Sequence, residues 1–336
     1  MPSLKITSNL NPSQWSSFVY NHPNGNVFQT PEMNEVYKKT KNYEPISFAV
    51  IDDNDEILGI LLAVIQKEHS GFLGKFSTRS IIMGGPLIKD NNTEVLDFIL
   101  TEYNKRIKGK AIYTQFRNQW QWNETEKEIF KKHGFEYESH LDIFVDLNKS
   151  EDELWKNLKS QARNKIRKAE KMGVDFKEIK SEDEISECYQ ILEEVYHQAK
   201  LPIPDFSLFK NANKALSDKE MIRFFVAVKD EKIIGTRIVF TFNNLLYDWY
   251  AGSKRNYYKY NPNDFLPWKI IEWGIENGYK TFDFGGAGKP NVPYGVRDHK
   301  MKFGGDLLEF GRFEKVHKPF LMLMGKTGLK FWQKLK

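Results

Sequence analysis

The chain is poor in cysteine: Cys188 is the single one among 336 residues. A disulfide needs two cysteines and structural zinc sites commonly use two or more, so a disulfide framework and a cysteine-based metal site are both excluded. No uninterrupted apolar run approaches the ~18 residues that a membrane span requires. The first residues, MPSLKITSNLNPSQW, lack the apolar core of a signal peptide. We expect a cytoplasmic protein, and no pattern in the sequence calls for a metal or another cofactor.

A large excess of one charge is also missing. Lys and Arg together number 50 and Asp and Glu 45, which leaves a net charge of +5. This mild excess fits an anionic partner, but it is far below the basicity of a dedicated nucleic-acid binder. Aromatic residues, in contrast, make up 14% of the chain. Some of them can stack on a substrate, but most must fill a core.

Two stretches of the sequence resemble each other. FAVIDDNDEILGILLAVIQK begins at Phe48 and FFVAVKDEKIIGTRIVFTFN at Phe224. Each has an alternating strand, a polar turn and a second strand, which is the pattern of a β-hairpin. A strand, a helix, a strand, a second short helix and a further strand follow in both copies, and Gly109 and Gly278 come just after the corresponding helices. The shared order predicts a duplicated α+β fold.

A basic segment lies between the two copies. EDELWKNLKSQARNKIRKAEKMGVDF, residues 151–176, is acidic at its start, basic through its body and followed by Gly173, so we expect one strong helix. Arg163 and Arg167 lie on its four-residue stripe of cations, which suits phosphate groups. A solvated helix face would have the same pattern, and both interpretations stay open.

The glycine-rich stretch FDFGGAGKPNVPYGVRDHKMKFGG, residues 282–305, does not have the features of a nucleotide-binding loop. A Walker A loop requires Ser or Thr after Gly-Lys, whereas Pro290 follows Lys289, and Asp283 stands where its first glycine belongs. A dinucleotide fingerprint requires a third glycine where Asn291 stands. The glycines instead allow a ligand to approach the backbone closely.

The order of elements resembles a tandem pair of GNAT acyltransferase domains, and the details are similar to the FemAB family of aminoacyl-tRNA-dependent transferases. The likeness rests on NVFQTPEMNEVYKK, on KKHGFEYESHLDIFVDLNKSEDELWKNLKSQARNKIRKAEKMGV, on WYAGS and on YGVRDHKMKFGGDLLEFG. The segment between the copies is too short for the long helical arm of some members. The resemblance implies two tandem GNAT-like domains, 1–147 and 148–315, with residues 316–336 packing back on the first.

The resemblance also implies an active site in the second domain. Lys300 takes the position of a lysine that lies beside the reacting carbonyl in the family, although His299 replaces the usual aromatic residue before it. A cation there would stabilise the oxyanion that forms when an amine attacks an ester. Asp283 would hold the attacking amine or orient Lys300, or it forms a structural salt bridge.

Further residues are predicted to bind substrate. Asp248 and Tyr250 lie two residues apart on one strand, so we expect them on the same face. Arg297 and Lys300 are three apart on a short helix and share a face as well. The other predicted binding residues are Gly285, Gly286, Arg163, Arg167 and Lys38. Lys38 lies beside Tyr37, which stands in the register of a lysine that the family places at the acceptor's diphosphate.

The function implied is transfer of an aminoacyl group, with aminoacyl-tRNA as the donor partner and a peptidoglycan or envelope precursor as the acceptor, by a monomer. The loop at residues 255–264 has no glycine, which argues against conventional acetyl-CoA binding. Two alternatives remain open: an acyl-CoA-dependent N-acyltransferase acting on a nucleotide sugar or lipid amine, and a non-catalytic binder on a transferase scaffold. The tail HKPFLMLMGKTGLKFWQKLK either docks on the protein or contacts the inner face of the membrane.

Overall fold

The computed structural model describes residues 3–67 and 78–323. The chain divides into two compact units: residues 1–139 with 310–336, and residues 140–309. The units end at residues 139 and 309, whereas the boundaries predicted from the sequence are residues 147 and 315. Each predicted boundary therefore lies one strand further along the chain. The part of the tail after residue 323 lies outside the described residues, so its predicted docking or membrane contact stays a prediction.

The fifteen strands are β1 (Lys5–Thr7), β2 (Tyr43–Ile51), β3 (Ile57–Gln66), β4 (Arg79–Met83), β5 (Leu87–Ile88), β6 (Tyr113–Arg117), β7 (Glu136–Glu138), β8 (Leu141–Asp146), β9 (Asp175–Ile179), β10 (Ile222–Lys229), β11 (Lys232–Phe242), β12 (Leu245–Ser253), β13 (Thr281–Gly288), β14 (Asp306–Glu309) and β15 (Arg312–Val316) among the described residues. The α-helices of the same ranges are α1 (Pro12–Asn21), α2 (Pro31–Lys39), α3 (Thr93–Ile107), α4 (Glu124–Lys132), α5 (Glu151–Asn157), α6 (Ser160–Lys171), α7 (Glu182–Gln198), α8 (Ser207–Leu216), α9 (Pro262–Glu276) and α10 (Gly295–Lys300).

The first unit is built on a sheet of order β1-β2-β3-β4-β6-β15-β7, with β5 beside β3. The predicted hairpin is β2 and β3, whose turn is closed by the Asp52 carboxylate accepting from the N–H groups of Asn54 and Glu56. Helix α3 covers the core, and its N-terminus is capped by the Asn92 side chain. β15 comes from the far end of the chain and lies between β6 and β7.

The second unit repeats this plan in the order β14-β8-β13-β12-β11-β10-β9. Its hairpin, β10 and β11, turns at Asp230 and Glu231, which both have positive φ. Helix α9 packs on one face with Trp268, Ile270 and Ile271 in the core. As in the first unit, the hairpin is followed by an antiparallel strand, a helix and a parallel strand, so the duplicated order predicted from the sequence is present in both sheets.

The single basic helix predicted for residues 151–176 is wrong. The chain forms α5, capped by a reciprocal Ser150–Glu153 box, then breaks at Leu158 and Lys159 before α6, and residues 175–179 form β9. Lys159 has an extended backbone, and its N–H donates to the carbonyl of Lys302, 2.9 Å away. A bond to a residue this distant in sequence ends α5, and no local pattern records it.

Candidate active site

The strands β12 and β13 separate at the centre of the second sheet. They pair in parallel at three positions, of which Tyr247 with Asp283 is the last, although both strands continue. Beyond that point β13 pairs only with β8, through two register shifts. The separated ends leave an opening between backbone segments, which is the geometry in which a sheet admits a ligand at its centre.

The corresponding place in the first unit is filled. There β4 and β6 pair along five positions, as far as Met83 and Arg117. Side chains then bind the backbone that follows: Asn26 donates to the carbonyl of Gly84 at 2.6 Å, and Gln29 donates to that of Met83 at 2.8 Å. Because its own amides occupy this edge, the first unit offers no equivalent opening here, and the candidate site belongs to the second.

Lys300 lies at the opening. It is the last residue of α10, and its Nζ donates to the carbonyl oxygens of Phe284 at 2.6 Å and Gly286 at 2.9 Å, with Gly285 at 3.4 Å. Three acceptors match the three protons of an ammonium group, and a neutral amine has only two. The side chain therefore places a cation against the separated segment of β13 rather than in open water.

Burial and neighbouring charges act on this cation in opposite directions. The pKa of Lys300 is lowered from its usual value, chiefly because burial penalises the charged form. The carboxylates of Asp248, Asp283 and Asp142 oppose that effect, while the charge of Arg237 adds to it. The net result is an ammonium that is costly to keep charged and is held by backbone carbonyls.

The two predicted glycines take part through their backbone. Gly285 has a φ of +67°, a conformation that strains other residues, and a Cβ there would meet the Tyr247 hydroxyl at 3.3 Å. The Gly285 N–H donates to the Asp283 carboxylate at 2.6 Å. The carbonyl oxygens of Gly285 and Gly286 both face Lys300. Glycine at 285 thus lets the chain turn its carbonyls towards the cation.

Asp283 is buried, with 2% of its surface exposed. Burial raises its pKa well above the usual range, and the nearby Asp142 raises it further, whereas the Gly285 N–H and Lys300 oppose the rise. Of these opposing effects burial is the largest, so the net shift of the pKa is upwards. It lies on the face of β13 opposite to Phe282 and Phe284, which belong to the core.

Asp248 forms an ion pair with Arg237, and both side chains are more than nine-tenths buried. The Arg237 guanidinium also lies over the ring of Phe284, 5.8 Å from its centre. The sequence reasoning missed Arg237. The signal was an arginine in the middle of the otherwise apolar strand IIGTRIVF, where a buried charge requires a partner.

The expectation that Asp248 and Tyr250 share a face is wrong. Tyr250 stands opposite Ile238 and Asp248 opposite Val239, so Trp249 is the extra residue of a β-bulge. Because Ile238 and Val239 are adjacent, their partners lie on opposite faces. The Tyr250 ring packs against Phe209, 4.9 Å away between centroids, in an aromatic cluster under α7 and α8.

Arg297 organises the loop over the opening. Its guanidinium donates to the carbonyl oxygens of Lys289 at 2.8 Å, Val292 at 2.5 Å and Ala287 at 3.4 Å. Arg297 and Lys300 therefore both leave α10 to bind carbonyls of residues 284–292, in keeping with the predicted shared face. This geometry makes Arg297 a residue that positions the loop, and its contact with a substrate stays a prediction.

The remaining predicted residues lie on other elements. Lys38 is about half exposed and pairs with Glu35 at 2.8 Å, in the first unit. Arg163 donates through Nη1 to the carbonyl oxygens of Lys156 and Leu158, which end α5. Arg167 is exposed, with its guanidinium 5.3 Å from the ring centre of Trp155. The structure thus assigns Arg163 to the helix junction and leaves Arg167 facing solvent.

The N-terminus of α9 does not resemble an anion site. Its first residue, Pro262, has no N–H to offer, and the first turn carries Asp264, which is 3% exposed and pairs with Lys165 at 3.3 Å. A pyrophosphate would need free N–H groups and no buried carboxylate at that position. The loop at residues 255–264 therefore lacks glycine, and Pro262 and Asp264 already occupy the start of the helix where a pyrophosphate would bind.

Between residues 3–67 and 78–323, no group of three or more His, Cys, Asp or Glu side chains is placed to hold a metal ion. Over the same residues, no helix combines the length and apolar character needed to cross a bilayer.

Each of the two units matches a known protein family. Residues 10–142 match the sequence model of the FemAB family, and residues 156–301 match that of the acetyltransferase (GNAT) domain. The UDP-N-acetylmuramoylpentapeptide-lysine N(6)-alanyltransferase of Weissella viridescens is 20% identical over 340 residues, covering 95% of this chain and 97% of that protein.

Solved structures have the same fold. The crystal structure of FemX superposes with a TM-score of 0.72 at 16% identity, covering 96% of this chain and all of that one. A tandem GNAT protein from the clavulanic acid biosynthesis pathway gives 0.59 at 8% identity, covering 93% and 98% of the two chains. The fold is therefore that of two GNAT-like units. The resemblance predicted from the sequence is confirmed: the chain is similar to FemAB-type transferases, and the protein is an acyltransferase.

Proposed function

We propose that the protein transfers an aminoacyl group from aminoacyl-tRNA to a primary amine of a peptidoglycan precursor. The observation that carries this proposal is the Lys300 ammonium, held at the opening between β12 and β13 by carbonyls of Phe284 and Gly286. The relative from Weissella viridescens, whose name describes alanyl transfer to a lysine N6 amine, supports both the transferred group and the acceptor class.

The chemistry needs a cation more than a nucleophile. An aminoacyl ester is already activated, so the amine attacks its carbonyl directly and negative charge develops on the carbonyl oxygen. A preorganised donor at that oxygen lowers the barrier, and removing one such donor typically costs about 10²–10³-fold in kcat. Lys300 would supply this charge. Its longest contact, 3.4 Å to Gly285, is the one most readily exchanged for the oxyanion.

The acyl-CoA alternative has less support. Pro262 and the buried Asp264 occupy the start of α9, where a GNAT enzyme would offer N–H groups to the pyrophosphate of coenzyme A. The interpretation as a pure binding protein is weakened by Lys300 itself. Burying a cation against carbonyls costs free energy that a binding surface does not require.

We place the protein in the cytoplasm, where both proposed substrates occur, and a position at the inner face of the membrane would suit a lipid-linked acceptor. Arg167 and the exposed lysines of α6 would contribute phosphate contacts to tRNA, and Lys38 would face the acceptor's diphosphate.

The test is transfer by the purified protein. Labelled alanyl-tRNA and lysine-containing UDP-N-acetylmuramoyl pentapeptide are supplied, and labelled acetyl-CoA replaces the tRNA in a parallel reaction. We expect alanyl transfer only, reduced about 10²–10³-fold by Lys300→Met. Lys302→Met, which removes a nearby lysine charge, should leave the rate unchanged. Transfer from acetyl-CoA alone would favour the alternative, and full activity in Lys300→Met would remove the oxyanion role.

A further inference from the structure

The buried ion pair in the second unit is incomplete. Oδ2 of Asp248 accepts from Arg237, but Oδ1 is shielded from solvent and has no hydrogen-bond partner. The side chains of Asp248 and Arg237 are 6% and 7% exposed. Buried carboxylate oxygens are almost always hydrogen-bonded, so an unused one requires an explanation. A ligand that donates a hydrogen bond would provide the missing partner.

The position of Asp248 indicates where that ligand lies. Asp248 follows Tyr247, the last residue of β12 that pairs with β13, so it is the first residue of the separated end. Among the carboxylates near Lys300, Asp248 does most to favour its charged form, so the two groups interact electrostatically, and Lys300 itself contacts the separated segment of β13. A carboxylate and an ammonium group therefore face a gap that an acyl donor and an amine would share.

The other ionisable groups near Asp248 come from four elements: Arg237 on β11, Asp283 on β13, Lys300 on α10 and Tyr196 on α7. Asp283 is a poor alternative as a proton acceptor. It already accepts from the Gly285 N–H, and burial raises its pKa. Asp248 has the paired cation and the vacant acceptor that Asp283 lacks.

We propose that Oδ1 of Asp248 binds the N–H of the attacking amine and removes its proton, so that Asp248 is the general base of the transfer. This role rests on the proposed function. The amine arrives as an ammonium group and Asp248 takes its first proton, which frees the nitrogen lone pair. As nitrogen adds to the ester carbon, the C=O electron pair moves onto oxygen. The oxyanion then re-forms the carbonyl, the ester C–O bond breaks, and the departing alkoxide takes the second proton of the nitrogen, while Asp248 returns its proton to solvent. Arg237 is the positioning residue that fixes the carboxylate.

The chain offers a matched control. Asp264 is also buried, pairs with one cation through Oδ2, and has an Oδ1 without a partner, but it lies on α9. Asp248→Asn should lower kcat by about 10²–10⁴-fold, the usual contribution of a general base. Asp264→Asn should keep wild-type kcat even if it unfolds at lower temperature. The reactions use alanyl-tRNA and the lysine-containing precursor.

The pH profile separates a base from a structural carboxylate. Without the base only the free amine reacts, so the rate of Asp248→Asn should rise about tenfold per pH unit between 7 and 9, because the amine's pKa is near 10.4. The wild-type profile should be flatter. A wild-type pH slope and kcat in Asp248→Asn, with transfer intact, would leave Asp248 with a structural role and the proposed function standing.

The pH profile of the wild type by itself covers the case in which the variant does not fold. A rate that is nearly constant between pH 7 and 9 is expected if Asp248 takes the proton of the bound ammonium. A rise of about tenfold per pH unit would mean that only amine already free in solution reacts, and it would overturn the base. Absence of any alanyl transfer by the wild type would overturn the proposed function instead, and this inference with it.

Discussion

At the scale of single residues, burial is the dominant influence on the site. The same loss of solvent lowers the pKa of Lys300 and raises that of Asp283, so each group is pushed towards its neutral form. Neighbouring groups oppose both shifts: the charge of Asp248 favours the ammonium of Lys300, and the Gly285 N–H favours the carboxylate of Asp283. The pKa values of both groups are therefore shifted from their usual ranges, in opposite directions.

Asp283→Asn should change how stability depends on pH. Since the folded pKa is raised, the folded protein binds more protons than the unfolded chain above pH 3.8, and stability falls as the pH rises through the raised value. Asparagine keeps an oxygen for the Gly285 N–H but cannot ionise. We expect the variant to be more stable than the wild type at pH 8, by roughly 2–4 °C in Tm per kcal/mol regained.

Urea unfolding at pH 4, 6 and 8 measures this effect. The advantage of the variant should shrink towards pH 4, where the wild-type carboxyl is protonated too. An advantage that is equal at all three pH values would mean that ionisation of Asp283 is not its source.

Some of these residues were predictable from the sequence and others were not, depending on whether a local pattern marks them. Lys300 and the glycines were found because a motif and a backbone requirement both mark them. Arg237 was missed since its partner, Asp248, lies on the next strand, and the facing of Tyr250 was wrong because a bulge at Trp249 interrupts the alternation. Pairing across strands and register shifts are tertiary properties that a linear pattern does not contain.

At the scale of elements, the junction between α5 and α6 has a structural cation at its centre. Nη1 of Arg163 binds the carbonyl oxygens of Trp155, Lys156 and Leu158, which the end of α5 leaves without helical partners. The periodicity of the basic segment predicted helix correctly on both sides. It missed the break because the stabilising bonds come from Arg163 and Lys302.

Arg163→Met should destabilise the second unit by about 1–3 kcal/mol, because partly buried carbonyls at the end of α5 lose a charged donor. Arg167→Met, one turn further along α6, should cost no more than ~1 kcal/mol through its contact with Trp155. Urea unfolding of both variants provides the comparison. Unchanged stability in Arg163→Met, together with weakened tRNA binding, would instead assign Arg163 to the phosphate stripe.

Strand β15 is the element that completes the first sheet. Phe313 is fully buried and stacks on Phe130 with 3.9 Å between ring centres, while Val316 on the same strand is 38% exposed. Phe313→Ala should cost about 3–5 kcal/mol, and Val316→Ala within about 0.5 kcal/mol.

Amide hydrogen exchange locates the effect of these two substitutions. Protection should fall in β6 and β7, the two neighbours of β15, in Phe313→Ala and stay unchanged in Val316→Ala. Protection that falls only at residues 312–316 would show that β15 is dispensable for its neighbours.

At the scale of the whole molecule, the duplicated order was predictable because hairpins and amphipathic helices have local signatures. The exchange of one strand between the two sheets in each direction was not predictable. β8 follows the first copy in sequence yet pairs in the second sheet, and β15 follows the second copy yet pairs in the first. Sequence proximity assigned both strands to the wrong sheet, since pairing partners some 140–200 residues apart leave no local trace.

The net charge of +5 leads to a prediction about the proposed donor. If the three exposed cations of α6, Arg167, Lys168 and Lys171, contact tRNA phosphates, log K should fall with log salt with a slope of roughly −2 to −3, at 0.7–0.9 per contact. Replacing Lys168 and Lys171, both exposed on α6, by Ala should reduce that slope by about 1.5.

Lys105 and Lys131, exposed lysines of the first unit, provide the control when replaced together by Ala. Binding of labelled alanyl-tRNA between 50 and 200 mM salt gives the slopes. Equal slopes in both double variants would place the tRNA elsewhere than on α6.

The exchange of strands also bears on synthesis of the chain at the ribosome. The second sheet has all its strands once residue 309 has left the exit tunnel, whereas the first must wait for residues 312–316. The half that is translated first is therefore completed last. Until then β6 presents an unpaired edge, and we expect ribosome-associated chaperones to bind nascent chains that end before β15.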